Sequence, residues 1–275
     1  MKRVLIHHNY KQESMLVRKE LEEQLNKIGM LSVETDPDVI IVIGGDGTML
    51  SAIRQYKLLQ KPFIGINTGN LGFLPTVTPG DFNRFIHVLH TKTYHIHQYP
   101  LIKVRAKTNS GTYIEEYAFN EILIKHLDPR LMEAKLFVNG RPFNYFTGDG
   151  FIITTPMGAT GYGIWAGGVA THSELPVYQL IPIHPNDNSI NRPLKIPLIL
   201  PLDTKIRFEI IKSMTREIMI AYDGAKLGNH SIAEVEISIA NIDVKILRVG
   251  EFDYFDYFKK KIIDKGELRT INEDL

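Results

Sequence analysis

The sequence predicts an α/β N-terminal domain with an open parallel sheet, followed by a mainly β, sandwich-like C-terminal domain. Strands alternate with amphipathic helices over the first hundred residues, and short β-rich segments separated by turn residues follow from about Tyr94. We therefore predict an α/β domain at 1–98, with 250–275 packing back on it, and a β-rich domain at 99–249.

The first half contains three predicted strands and three predicted helices. Val4–Ile6 is a short apolar strand, and Val39–Ile43 is a continuous β-branched run, which is typical of a strand covered on both faces. Phe63–Ile66 is the third strand. Apolar residues at helical spacing predict helices, and these cover 12–28, ending at Gly29, 48–60 and 80–91.

The second half is rich in short strands. Turn signals such as Asn109-Ser110-Gly111, Asn139-Gly140 and Asp223-Gly224 separate them. The predicted strands are 101–108, 112–125, 133–138, 150–155, 196–200, 205–212, 217–222 and 233–249. The last 25 residues form an amphipathic segment, which either packs on the first domain as a helix or is only solvated by its lysines.

Composition excludes several classes of function. The 275 residues carry a net charge of +1, so no global field favours nucleic acid, and the absence of cysteine excludes disulfides, thiolate catalysis and Cys-ligated zinc. The histidines show no metal-ligand spacing. No apolar run approaches the roughly 20 residues of a membrane helix, and Val4–Ile6 is too short for a signal-peptide core. We expect a cytoplasmic protein that binds no membrane.

Gly44-Gly45-Asp46-Gly47-Thr48 is the most informative segment. It follows the buried strand Val39–Ile43, at the carboxyl end where open α/β sheets bind ligands. Glycines let the backbone approach a phosphate, amides at the helix start donate to an anion, and Thr48 is expected to cap that helix. Asp46 offers a carboxylate that accepts a proton from an attacking hydroxyl or helps to organise magnesium. The alternative is an ordinary Gly-Asp-Gly turn.

Two other nucleotide-binding motifs are missing from the sequence. It contains no Walker loop of the Gly-Lys-Ser/Thr type, which excludes a P-loop kinase. His7-His8-Asn9 stands where a Rossmann glycine fingerprint would follow the first strand.

Four motifs in order resemble the NAD kinase family, from about residue 38 to Gly224. The glycine segment alone is shared with diacylglycerol and sphingosine kinases and, loosely, phosphofructokinases. Three further motifs resemble segments of NAD kinases and so favour this family over the others. They are Ile66–Leu74, Asn120-Glu121 on a β segment, and Thr154–Tyr162 with Ala166-Gly167-Gly168 at its end.

The resemblance implies transfer of the terminal phosphoryl group of ATP to the 2′-hydroxyl of the adenosine ribose of NAD, with Asp46 as the base. It implies Mg²⁺, or another divalent cation, carried with ATP, and a homo-oligomer, either a dimer or a tetramer. NAD and ATP are then the small-molecule substrates, and nucleic acid is no partner. Polyphosphate in place of ATP stays open, as does allosteric control by NADP.

The resemblance also implies a set of binding residues. Asn120 suits the edge of adenine, Glu121 the ribose hydroxyls, and Asp149 the nicotinamide end. The expected NAD- and ATP-binding residues are Gly45, Gly47, Thr48, Asn67, Phe73, Asn120, Glu121, Asp149, Gly158, Thr160, Gly161, Tyr162, Gly163, Trp165, His184 and Asp223.

Several of these residues also have an ordinary structural interpretation, which for Asp149 is a simple Gly-Asp-Gly turn. Asn120-Glu121 can be a polar pair at a strand end, and Tyr162 can be a core tyrosine instead of a stacking partner for adenine. Asp223 can be a hairpin-turn residue, and His184 can be a structural histidine.

The sequence departs from the family pattern at several positions. Met157 replaces a small hydroxyl residue, Gly161 replaces alanine, Gly163 and Trp165 stand where many relatives have serine, and Thr147 stands where many have arginine. Loss of an arginine removes a strong anion partner. These departures leave the preference for NAD or NADH open. Two competing hypotheses also stay open. One is a lipid kinase with the same glycine loop, and the other is an NAD-binding sensor without catalytic activity.

Overall fold

In the computed structural model the chain forms two compact units. The first contains the chain up to Ala52, Lys61–His97 and the segment from Ile246, and the second contains Ile53–Gln60 and Gln98–Lys245. The structure describes residues 2–69, 72, 74, 77–187, 192–211, 217–228, 230–250 and 253–264. The domain limits predicted from the sequence stay a prediction.

The first unit is built on a parallel sheet. Its elements are β1 (Arg3–His8), α1 (Gln12–Lys27), β2 (Leu31–Ser32), β3 (Val39–Ile43), α2 (Asp46–Tyr56), which continues into the second unit, β4 (Phe63–Ile66) and α3 (Phe82–Thr91). The order is β2-β1-β3-β4, and every neighbouring pair is parallel. Strand β3 is buried at all five residues because β1 and β4 flank it and apolar side chains cover both faces.

None of the described helices is long and apolar enough to cross a membrane.

The second unit is built from antiparallel strands. These are β5 (His95–Thr108), which begins in the first unit, β6 (Tyr113–Ala118), β7 (Glu121–His126), β8 (Met132–Val138), β9 (Arg141–Gly148), β10 (Gly150–Thr154), β11 (Val177–Ile183), β12 (Leu198–Pro201), β13 (Ile206–Ile210), β14 (Ile218–Tyr222), β15 (Ala225–Lys226) and β16 (Ile232–Arg248), which ends in the first unit. A short helix, α4 (Tyr162–Trp165), interrupts them. One sheet has the order β12-β11-β10-β7-β14-β15, and the strands β5, β6, β8, β9, β13 and β16 belong to the other.

Both sheets of the second unit contribute to one hydrophobic core. Val104 and Phe208 of one sheet and Ile124 and Ile153 of the other belong to the same buried cluster. Alternating strand residues point to opposite faces, so each sheet contributes its apolar face. The predicted fold class, an α/β domain followed by a β domain of sandwich type, is confirmed.

Several local predictions were wrong in detail. Helix α2 begins at Asp46, so Thr48 lies within its first turn and is not the residue that caps it. The segment 112–125 is two strands, and Asn120 lies in the bend between them instead of on a strand.

Four of the observed strands were not predicted: the two-residue strands β2 and β15, and the longer strands β9 and β11. Strand β9 is an edge strand with many polar residues, and β11 contains Pro182, which usually argues against a strand between two neighbours.

Candidate active site

Three strand ends of the first unit meet at one edge of the parallel sheet. The glycine turn follows β3, Asn9 follows β1, and Asn67 follows β4. The Gly44 N–H donates to the Ile66 carbonyl at 2.9 Å, and the Asn9 side-chain amide donates to the Thr48 hydroxyl at 3.3 Å. This is the position where open α/β sheets bind ligands.

The turn at Gly44 requires a glycine. Its φ is 152°, and a Cβ atom there would lie 2.3 Å from Oγ1 of Thr48. At Gly45 and Gly47, by contrast, a Cβ atom would meet no protein atom within 4 Å, so the surface of the turn is open. The first turn of helix α2 begins directly there, and the N–H groups of Thr48 and Met49 both donate to the Gly45 carbonyl, at 3.0 and 3.1 Å. An open turn at the start of a helix suits a phosphate group.

Asp46 is the first residue of α2, and both oxygens of its carboxylate are held. Oδ1 accepts the Leu74 backbone N–H at 3.0 Å, and Oδ2 lies 2.5 Å from Nζ of Lys261. The Asp46 side chain is 27% exposed, so it can still reach a ligand. A carboxylate fixed beside an open turn of amides can accept a proton from a hydroxyl that attacks a phosphate.

Asn67 is held in the loop after β4. Its N–H donates to the Val77 carbonyl at 2.7 Å, and its Oδ1 accepts the Gly69 N–H at 3.2 Å. The structure therefore places Asn67 at the same sheet edge as Gly45, Gly47 and Thr48. Phe73, which was predicted with them, lies outside the described residues.

In the second unit, Asp223 organises the bend that carries Asn120 and Glu121. Its carboxylate accepts the backbone N–H groups of Phe119 at 2.7 Å, Asn120 at 2.8 Å and Glu121 at 3.2 Å. Asp223 is only 4% exposed. It also occupies the two-residue hairpin Asp223-Gly224 between β14 and β15, where both residues have positive φ. The two interpretations of this position, hairpin turn and site residue, are compatible.

The segment after β10 packs directly on the same bend. The Thr155 hydroxyl donates to the Phe119 carbonyl at 2.7 Å, and the Thr154 hydroxyl donates to the Asn120 carbonyl at 3.2 Å. At Gly158 a Cβ atom would lie 2.4 Å from the Asn120 carbonyl oxygen, so the two backbones touch. The structure thus brings together two motifs that are more than thirty residues apart in the sequence.

Burial changes the charge of the acidic groups at this bend. Burial, and after it the nearby Asp223 carboxylate, raises the pKa of Glu121 to about 7. Burial also raises the pKa of Asp223, although the three N–H groups that it accepts act in the opposite direction.

Two buried acceptors at the bend have no hydrogen-bond partner within the described part of the chain. They are Oδ1 of Asn120 and Oε2 of Glu121. Buried polar atoms are nearly always hydrogen-bonded, so these two atoms suit the hydroxyl or amino groups of a ligand.

The glycine-rich segment continues beside Glu121. Gly158 and Thr160 are buried in a 3₁₀ turn, and Gly161 lies so close that a Cβ atom there would be 3.6 Å from Oε2 of Glu121. Gly163 is buried in α4.

The two aromatic residues of this segment are accessible. Tyr162 is 49% exposed and therefore not a core side chain, and Trp165 is 80% exposed.

Asp149 and His184 form a pair on the surface of the second unit. Nδ1 of His184 lies 2.8 Å from Oδ2 of Asp149, and both side chains are exposed. The pairing follows from the adjacent strands β10 and β11, since the Asp149 N–H donates to the Ile183 carbonyl at 2.9 Å. Asp149 and His184 lie at the end of β10 opposite to Thr154, the residue that contacts the Asn120 bend.

Arg54, Thr155 and Lys261 also take part in the contacts at the site, and the sequence did not predict them as site residues. Arg54, eight positions after Asp46 on α2, donates to the Asp223 carbonyl at 2.5 Å. Thr155 and Lys261 contribute the hydrogen bonds described above. Only Thr155 lies in a predicted motif, and no local pattern distinguishes Arg54 or Lys261 from other surface cations.

Comparison with known families agrees with this geometry. Residues 4–94 match the ATP-NAD kinase N-terminal domain, and residues 119–249 match the ATP-NAD kinase C-terminal domain. A NAD kinase of Streptococcus pneumoniae is 33% identical over 242 residues, which cover 87% of this chain and 88% of that protein. The chain belongs to the NAD kinase family. The family predicted from the four motifs is therefore confirmed.

Other NAD kinases are similar over nearly the whole chain. That of Leuconostoc mesenteroides is 28% identical over 260 residues, or 94% of this chain and 96% of that protein. Two solved structures share the fold. Yeast NADH kinase complexed with NADH has a TM-score of 0.84 at 18% identity and covers 98% of this chain and 89% of that one. A NAD kinase from Archaeoglobus fulgidus in complex with ATP has a TM-score of 0.74 at 23% identity and covers 96% and 100%.

Proposed function

We propose that this protein transfers the terminal phosphoryl group of ATP to the 2′-hydroxyl of the adenosine ribose of NAD, which yields NADP and ADP. The observation that carries the proposal is Asp46, held by Leu74 at the start of a helix that follows an open glycine turn. As a member of the NAD kinase family, the protein is a phosphotransferase that uses an alcohol group as the acceptor.

Asp46 acts as the general base. Its carboxylate takes the proton of the 2′-hydroxyl as the ribose oxygen forms a bond to the γ-phosphorus, and the bond from that phosphorus to the β,γ-bridging oxygen breaks so that ADP leaves. Such transfers depend mainly on positioning and on charge stabilisation. The amides of the turn at Gly45 and Gly47 hold the donor phosphates, with Thr48 and Asn67 beside them.

Asn120 and Glu121 bind the adenosine part of NAD. Support comes from their two buried acceptors, since leaving a buried acceptor unpaired costs about 1–3 kcal/mol and a hydroxyl or amino donor would remove that cost. Tyr162 is accessible for stacking on adenine, with Gly158, Thr160, Gly161 and Gly163 in the segment that bears it. Asp223 holds the bend in place.

Asp149, His184 and Trp165 are assigned to the nicotinamide end. The Asp149–His184 pair is exposed and polar, as contacts to a carboxamide require. Trp165 adds an exposed aromatic surface. This assignment rests on the motif match.

A divalent cation enters with ATP. Among the residues that the structure describes, no group of three or more His, Asp or Glu side chains could hold a metal. Mg²⁺ is usually bound by one or two carboxylates together with substrate phosphates. Asp46 is the carboxylate available in the glycine turn. When bound, the cation neutralises charge on the phosphates.

Three further properties belong to the proposal. We expect a homo-oligomer, a dimer or a tetramer, located in the cytoplasm and without a nucleic-acid or membrane partner. Inorganic polyphosphate is an alternative donor, because a turn of backbone amides accepts either phosphate chain.

The test is a coupled assay of NADP formation from NAD and MgATP, with Asp46→Asn beside the wild type. General-base catalysis typically contributes about 10²–10⁴ in rate, so we expect a loss of that size with the fold intact. Asp36→Asn is the matched control, because Asp36 is an exposed carboxylate of the same unit that pairs with Arg3.

Near-normal turnover of Asp46→Asn would show that Asp46 is not the base. Wild-type protein that binds NAD but forms no NADP, with ATP or with polyphosphate, would support the sensor hypothesis. Phosphorylation of a lipid in place of NAD would support the lipid-kinase hypothesis.

A further inference from the structure

The C-terminal segment of the first unit begins with a capped helix that has a buried tyrosine. A short helix, α5 (Tyr254–Phe258), is followed by a π-helical turn, Lys259–Ile263. The Asp253 carboxylate caps the helix and accepts the N–H groups of Phe255 at 2.8 Å and Asp256 at 3.2 Å. Tyr254 is buried. The π-helical turn therefore has a defined start, and single turns of this kind are frequent at functional sites.

Adjacent lysines of this turn have different partners. Nζ of Lys260 lies 2.7 Å from Oδ2 of Asp256, one turn earlier in the same segment. Nζ of Lys261 instead lies 2.5 Å from Oδ2 of Asp46, 215 residues away in the sequence. Neighbouring residues of a helical turn point in different directions, and here, of the two lysines, only the Lys261 side chain is seen to contact Asp46 within the described part of the chain.

We propose that Lys261 is a positioning residue for the phosphoryl transfer, because it holds the carboxylate of Asp46 through Oδ2. The inference rests on the proposed function, in which Asp46 is the base. Leu74 donates to Oδ1 and Lys261 to Oδ2, so both oxygens of the carboxylate are held. A base must lie about 2.6–3.2 Å from the hydroxyl oxygen whose proton it takes, and a carboxylate that loses the contact at Oδ2 can rotate away from that position.

Lys261 itself takes no part in the chemistry. In the proposed step the proton of the ribose hydroxyl passes to Asp46. The side chain of Lys261 is only 29% exposed, whereas that of Lys260 is 55% exposed. The Lys261–Asp46 contact is thus less accessible to water, and an ion pair shielded from water holds its geometry better than a solvated one.

The experiment compares Lys261→Met, Lys261→Arg and Lys260→Met with the wild type. Methionine keeps most of the length and apolar stem of lysine but removes its charge, and Lys260→Met makes the same change on the neighbouring residue. We expect Lys261→Met to lower kcat about 10- to 100-fold, since a misplacement of about 1 Å can cost about 10² in rate. KM for NAD and for ATP should stay within about threefold, because no substrate contact is removed.

Lys261→Arg should recover most of kcat, since arginine keeps the charge, and Lys260→Met should match the wild type. Melting temperatures show whether each variant is folded, and Lys261→Gln is the substitute if Lys261→Met does not fold. Equal kcat for Lys261→Met and Lys260→Met would overturn the inference, as would a loss of activity no larger than the loss of folded protein. A wild type that forms no NADP would overturn the proposed function and this inference with it, whereas an active Asp46→Asn would overturn the role of Asp46 as base, and with it this inference, but leave the NAD kinase activity standing.

Discussion

Removing the carboxylate of Asp223 should loosen the bend at Phe119, Asn120 and Glu121. The structure gives this carboxylate three backbone N–H groups, two on Oδ1 and one on Oδ2. In Asp223→Asn the amide oxygen can replace one carboxylate oxygen, but the NH₂ group then faces an N–H donor. In Asp223→Ala all three N–H groups lose their acceptor.

The size of the effect follows from the cost of unpaired buried donors, which is about 1–3 kcal/mol each. One donor is lost in Asp223→Asn, so about 2 kcal/mol is expected, and removal of a buried charge offsets part of this cost. Three donors are lost in Asp223→Ala, and a loss of about 3 kcal/mol or more follows even if water reaches some of them. The order of local stability should be wild type, Asp223→Asn, Asp223→Ala.

Amide hydrogen exchange measures the stability of the bend locally, and it does not require that the two units unfold together. A loss of about 2 kcal/mol corresponds to about 30-fold faster exchange of the amides at 119–121, because 1.4 kcal/mol is a factor of ten. KM for NAD should rise about tenfold in Asp223→Ala, as the bend carries both adenosine contacts. Unchanged exchange at 119–121 in a folded Asp223→Ala variant would refute the assignment of Asp223 as the organiser of the bend.

Two other substitutions test the same region. Burial, and then the charge of Asp223, raises the pKa of Glu121 from 4.5 to about 7, so folding favours the protonated form. The free energy of unfolding of the wild type should therefore fall relative to that of Glu121→Gln as the pH rises from about 4.5 to about 7. Urea titrations at pH 5 and pH 8 should show a relative loss of about 2 kcal/mol. In Gly158→Ala the new Cβ atom would lie 2.4 Å from the Asn120 carbonyl, so KM for NAD should rise about tenfold, whereas Gly80→Ala, with 3.9 Å to its nearest atom, should match the wild type.

The sequence was most informative where a residue pattern is local. Strand β3 was predicted with its bounds because five β-branched residues in a row have no better place than the centre of a parallel sheet. The glycine turn was predicted for the same reason, since its glycines and Asp46 are contiguous and directly follow that strand. The start of α2 was predicted two residues too late, because Thr48 is a good capping residue and the glycines before it have a low helix propensity.

The contacts that hold the site are long-range, and no single-sequence pattern reveals them. The acceptor interactions of Asp223 reach 102–104 residues back in the chain. Local chemistry at Asp223-Gly224 shows only a hairpin turn. Likewise, the three lysines from Lys259 are equivalent as a sequence run, and only the geometry of the C-terminal segment separates Lys261 from Lys260.

The buried acceptors of Asn120 and Glu121 distinguish a ligand site from a structural bend. Each unpaired atom costs about 1–3 kcal/mol, a large share of the roughly 5–15 kcal/mol that stabilises a typical protein. A ligand hydroxyl or amino group bound at the bend would supply the missing hydrogen bonds. Binding alone, however, would not require Asp46, whose carboxylate is held on both oxygens beside an open phosphate turn. The transfer reaction accounts for both features, and a sensor accounts only for the first.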